Sequence, residues 1–103
     1  MLPSEYLQRG WNQWSLARGK SGRAVEPTGR AAISWCMTGA IKAYEVHIRP
    51  YSVNFLGGES RLTKAIRNIV GAASATGWND EVCQSQAQAV AVMRAAEKAV
   101  GLR

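Results

Sequence analysis

Trp35-Cys36-Met37-Thr38-Gly39-Ala40 lies within the best helical pattern of this 103-residue chain. Ile33, Cys36, Met37, Ala40, Ile41 and Tyr44 recur at the spacing of one helix face. Thr28, after Pro27, reads as the cap, and the helix is expected to end before Pro50, because the residue preceding a proline avoids α geometry. Gly39 inside that helix costs roughly 1 kcal/mol of propensity, so something is expected to approach its backbone closely. Trp35 needs a large, shaped site, usually with a partner for its indole N–H. A second concentration of demanding residues, Trp78-Asn79-Asp80, follows some forty residues on and contains the chain's one Asp.

Working outward, Ser4 reads as the cap of a first helix from Glu5 to about Arg9, ended by Gly10. The segments 14–18 and 23–26 flank Gly19-Lys20-Ser21-Gly22 and predict a short β-hairpin. Residues 47–55 are expected to be irregular or briefly extended, with Gly57-Gly58 closing that loop. Ser60 caps a further helix whose apolar face is Leu62, Ala65, Ile66, Ile69, Val70 and Ala73. Trp78-Asn79-Asp80 reads as a turn, with Asn79 or Asp80 capping a last helix from about Glu81 to Val100. The fold class expected is mainly α: one globular domain over 1–103, with three to four helices and one short β-hairpin near the N-terminus.

Composition narrows the function classes. Hydrophobic residues make up 47% and charged residues 19%, which fits a packed domain rather than a disordered chain. No apolar run approaches the roughly 18 residues that span a bilayer, and the first residues lack the basic and apolar regions of a signal peptide. The expectation is a cytoplasmic protein with no membrane partner. A formal net charge of +6 favours anionic partners, and it also suits simple solubility.

Residues able to carry chemistry are few. Cys36 and Cys83 are not at metal-ligand spacing, and a reducing cytosol argues against pairing them. Cys36 reads as a buried small hydrophobe, and Cys83 as the more exposed of the two. Gly19-Lys20-Ser21 lacks the upstream glycine of a phosphate-binding loop, so it reads as a turn. His47, the one histidine, sits near a helix end, where the dipole favours it. An enzyme would require His47 and Asp80 to converge. No catalytic set, metal or cofactor is expected. Arg61, Lys64 and Arg67 form a basic strip opposite Leu62, Ile66 and Ile69, a candidate surface for phosphates with help from Lys20 and Arg23. Tyr51 and Phe55 are candidates for an aromatic surface facing a protein partner.

The order of Gly22, the helix with Trp35, Cys36, Gly39 and Ala40, and the Trp78-Asn79-Asp80 element before an Ala/Val-rich helix resembles a family of small uncharacterised domains. Such domains occur in bacteria, including actinobacteria, and in their phages. The resemblance covers about 80 residues and implies a fold and a context, with no activity attached. That context, taken with a compact single domain, no catalytic set and the aromatic stretch from Tyr51 to Phe55, leads to the expectation of a non-enzymatic phage- or prophage-type binding protein, a counter-defence (anti-CRISPR-like) or host-takeover factor. The partner would be a host protein or protein–nucleic-acid complex. The alternative is a basic-surface binder of nucleic acid or of a signalling nucleotide. A homodimer through the Ala-rich faces of the last helix stands beside packing within one chain.

Overall fold

A computed structural model describes residues 1–48 and 60–103. Tyr51 and Phe55 lie outside the described residues. The elements are α1 (Pro3–Arg9), β1 (Ala17–Arg18), β2 (Ser34–Trp35), α2 (Met37–Ile48), α3 (Arg61–Val70), a single turn α4 (Ala75–Gly77) and α5 (Gln86–Ala99). A π-helical turn, Trp78–Val82, continues directly from α4. The mainly α architecture with a small antiparallel sheet near the N-terminus is as expected. Helix α5 packs against α1 and α3, and α1 packs against α2. Leu7, Met37, Ile66 and Met93 are fully buried in the resulting core, with Ala40, Ala89 and Ala96 allowing the close approach. Tyr6 meets Trp35 edge to face at 5.0 Å between ring centroids.

Helix α3 forms where local signals place it. Ser60 Oγ accepts the Thr63 N–H at 3.1 Å, and Gly71, at φ 69°, ends the helix. Leu62 and Ile66 are buried, whereas Ile69 is exposed on the flank.

The central helix starts eight residues later than a cap at Thr28 predicts. Trp35 donates its N–H to Gly10 O at 3.0 Å and accepts the Asn12 N–H at 3.1 Å, while Ile33 N–H bonds Arg18 O at 2.9 Å. A backbone paired on two sides cannot also make helical bonds, so residues 33–35 are extended and Ile33 faces outward. The segment from Pro27 folds as successive turns instead, with Gly29 N–H on Glu26 O and Ala32 N–H on Gly29 O. Trp35 finds its expected partner there: its indole N–H bonds Pro27 O at 2.9 Å.

The hairpin also differs in its pairing. Its turn is present, with Gly19 N–H on Arg23 O at 2.9 Å, Val25 N–H on Ala17 O at 3.0 Å and Gly22 at φ 85°. The regular ladder, however, joins β1 to β2, with Ala17 opposite Trp35 and Arg18 opposite Ser34. Residues 14–16 are not strand.

Two caps move as well. Ser85 Oγ, not Asn79 or Asp80, caps the last helix by accepting the Gln88 N–H at 3.1 Å. Ser4 lies inside α1, which begins at Pro3, and its N–H and hydroxyl both bond the carboxylate of Glu97, at 2.8 and 2.7 Å. Arg103 closes that cluster with Nε 2.7 Å from Glu97 Oε1. Glu97 has no exposed surface, so this paired carboxylate fastens α1 to α5.

Candidate functional site

The two motifs meet. Asn79 is fully buried, and its Oδ1 accepts both the Trp11 indole N–H at 2.8 Å and the Met37 N–H at 3.1 Å. The turn residue of one motif thus caps the helix of the other. Its Nδ2 donates to Asn12 O at 3.2 Å and to Asp80 Oδ1 at 2.9 Å. Cys36 supplies a second cap: its sulfur accepts the Gly39 N–H at 3.3 Å. Gly39 stands against the backbone of Leu16, whose carbonyl accepts the Cys36 N–H at 3.1 Å.

This junction holds residues 12–15 in an unusual turn. Trp14 adopts φ 68°, a left-handed conformation that costs a bulky residue about 1 kcal/mol. Asp80 Oδ1 accepts the Trp14 N–H at 2.8 Å, and Asn12 Nδ2 closes the turn on Ser15 O at 2.7 Å. Gln13 Nε2 lies 3.0–3.2 Å from the carbonyls of Asn79, Asp80 and Cys83, which end the π-helical turn. The result is a Trp side chain that is 65% exposed on a backbone fixed from several directions. Beside it opens a cleft of about 240 Å³ lined by Trp14, Ser15, Leu16, Cys36, Thr76 and Asp80. The Arg18 guanidinium touches Gln13 O and Gly22 O, at 3.1 and 2.9 Å, and so joins this turn to the basic hairpin tip.

The basic strip is brought together only in part. Arg61 and Lys64 line a groove of about 360 Å³ between α3 and α5, with Asn68, Ile69, Ala99 and Val100. Arg67 is half-buried and does not line it; Lys20 and Arg23 are exposed on the hairpin. At about 100° per residue, each three-residue step falls some 60° short of a full turn, which displaces Arg67 from Lys64 round the helix and into partial burial. His47 lies exposed near the end of α2, about 15 Å along the axis from Met37 at 1.5 Å per residue, whereas Asn79 and Asp80 sit at its start. The two do not form a pair. Among the described residues, no group of three His, Cys, Asp or Glu side chains could hold a metal ion. Among them, too, no helix is long and apolar enough to cross a membrane.

With this geometry in view, comparison with known families gives a clear result. A model of a family of unknown function (DUF6197) matches residues 4–99. The chain belongs to that family. No curated protein and no solved structure matches it. The matched region of this DUF6197 chain includes all of α1 but Pro3, the Trp14 turn, both motifs and all of α5.

Sequence reasoning passed over Trp14 and Gln13. The signal was there: Trp11-Asn12-Gln13-Trp14 packs two Trp and two amides into four positions. It also misplaced Cys83, which is buried, its thiol donating to Ser85 O at 3.4 Å. Both cysteines are free, and burial pushes both thiols above their ordinary value, partly opposed at Cys36 by the Gly39 N–H. Native protein at pH 8 is therefore expected to react slowly with a disulfide reagent, and to release both thiols on unfolding in guanidinium. A raised thiol value means the folded state holds its proton where the unfolded chain loses it. The thiol contribution is complete below the ordinary value of 9.0 and declines as pH rises above it, which alkaline denaturant titrations will read.

Proposed function

We propose that this DUF6197 domain is a non-enzymatic binding module of phage or prophage type, acting on a host component through the surface around Trp14. On this reading it is a counter-defence (anti-CRISPR-like) or host-takeover factor of the cytoplasm, and its partner is a host protein or protein–nucleic-acid complex. The motif residues Trp35, Cys36, Gly39, Ala40, Trp78, Asn79 and Asp80 then serve as the shared frame of the family. One observation carries the proposal. Asn79 and Asp80 are engaged internally, with each other and with residues 11–14 and Met37, while Trp14 is held outside. Exposed Trp side chains on fixed backbones are typical anchors of recognition surfaces. The phage context rests on the resemblance and is an analogy of setting.

The groove bearing Arg61, Lys64 and Asn68 favours a second reading, a basic-surface binder of nucleic acid or of a signalling nucleotide. Size exclusion of the purified protein with mass and absorbance read together separates the two. A clean protein peak that moves to higher mass with nuclease-treated host extract, and not when Trp14 is replaced, supports the binding module for a protein component. Co-eluting material absorbing at 260 nm, removed by salt and by charge reversal at Arg61 and Lys64, supports the second reading.

A further inference from the structure

We infer that the Trp14 turn and the hairpin tip together form a stacking platform for single-stranded nucleic acid; this rests on the reading of Trp14 as the recognition surface and names the chemistry it recognises. A base-stacking platform needs an exposed aromatic face, a backbone that keeps it in place and cations at a distance suited to the sugar–phosphate chain. The Trp14 turn supplies the first two, and Arg18, bonded to Gln13 O and Gly22 O, ties that turn to a cationic hairpin tip. Trp14 is 65% exposed, and Asp80, Asn12 and Gln13 fix its turn. Such a conformation for a bulky residue is retained only where the surroundings impose it, and here the imposed result is an outward indole.

Charge then selects the partner. Residues 11–35 hold four cations, Arg18, Lys20, Arg23 and Arg30, against one acid, Glu26. Arg18 bridges the turn to the tip through Gln13 O and Gly22 O, and Lys20, Arg23 and Arg30 are exposed. The Ala31 carbonyl oxygen lies 3.3 Å from where a side chain at Gly19 would begin, so the turns carrying Arg30 pack against the tip. The one carboxylate at the Trp14 turn, Asp80, has its Oδ1 occupied by the Trp14 N–H and Asn79 Nδ2. An acidic protein surface would suit these cations equally, but it would not need an exposed indole on a fixed backbone beside them. An unpaired base on Trp14 with flanking phosphates on Lys20 and Arg23 uses both. A duplex keeps its bases stacked on each other and leaves the indole without a partner.

The test uses the full chain and fluorescein-labelled mixed-sequence 12-nucleotide DNA and RNA, single-stranded and duplex, followed by anisotropy across a salt series. Single strands are expected to bind more tightly than duplex. Trp14→Phe keeps a stacking face and stays within a few-fold of the parent. Trp14→Gly relieves the left-handed strain, so its melting temperature is unchanged or raised, yet its affinity falls at least about tenfold. Lys20→Ala with Arg23→Ala makes the log–log salt slope shallower by about 1.4. Absence of saturable oligonucleotide binding, preference for duplex, or Trp14→Gly binding like the parent overturns the inference. The same Trp14→Gly protein, run against nuclease-treated host extract, keeps the two claims apart. If it alone loses a mass shift there, the recognition surface stands and its partner is a protein; if parent and variant behave alike in both assays, both claims fall.

Discussion

Gly39→Ala is expected to cost about 4 kcal/mol and to lower the melting temperature by roughly 15 to 30 °C. In most helices the same change is favourable by about 1 kcal/mol. Here the added Cβ would lie 1.8 Å from the Leu16 carbonyl oxygen and 2.7 Å from its carbon. Both are backbone atoms, so no rotamer change relieves the overlap. Moving Leu16 away breaks its bond to the Cys36 N–H and pulls on Ala17, which pairs with Trp35. The clash therefore spreads from one methyl to the join between sheet and central helix. Gly77→Ala is the matched control. That glycine is helical at φ −59°, its added Cβ would meet only the Ser74 side chain at 3.6 Å, and the change is expected to be neutral or mildly stabilising. Thermal and urea unfolding of the two variants side by side gives the comparison, and similar losses in both would mean that the Leu16 contact is not the cause.

Gly39 also marks how far the sequence can be read. A glycine in a helical pattern announces that something comes close, but its spacing does not say what. Helix α3 was legible at its start, because Ser60 acts on a backbone group three residues away, whereas at its end Gly71 stops the helix before Ala73, which the apolar pattern includes. Residues 28–35 misled for the opposite reason. Their helical periodicity is real, yet Gly10, Asn12 and Arg18 claim the backbone of 33–35, and those partners lie 15 or more residues away. Ile33, the member of the periodic set that lies in this stretch, faces outward, so the inward face begins at Cys36 with the helix itself.

Polar residues were the least legible. Ser4 and Asn79 both have side chains that cap helices, and each lies at or near the start of a helical pattern in the sequence, so the local reading was natural. Ser4 instead answers the buried Glu97 across 93 positions, and Asn79 caps a helix 42 positions earlier. Nothing in local spacing distinguishes a cap for the next helix from one for a distant helix. Of the basic strip, Arg61 and Lys64 share a groove as the helical period suggests, while Arg67 turns toward the core side. Trp14, within the 14–18 segment that reads as a hairpin strand, carries no local sign that it stands outside. Its exposure follows from a turn that Asp80, 66 residues later, holds in place.

Asn79→Ala is expected to cost about 4 kcal/mol, although alanine fits the turn sterically. The substitution removes an acceptor shared by the Trp11 indole and the Met37 N–H, and a donor to Asn12 O. Met37 is fully buried at the start of α2, so its N–H is left without water or a partner. The loss is cooperative because the same side chain also steadies Asp80, which holds the Trp14 N–H. Asn79→Asp separates these effects. It retains an oxygen for Trp11 and Met37 but replaces the donor that faces Asp80 at 2.9 Å with a second carboxylate. Two carboxylates at that distance resist ionising together, so the folded variant takes up a proton that the unfolded chain does not. Its deficit is then greatest at neutral pH and narrows as the pH falls toward 5, whereas the deficit of Asn79→Ala stays nearly constant over that range. Urea titrations of both variants at pH 5 and 7 measure the difference. A parallel pH response in the two would show that Asn79 and Asp80 do not act as one hydrogen-bonded unit.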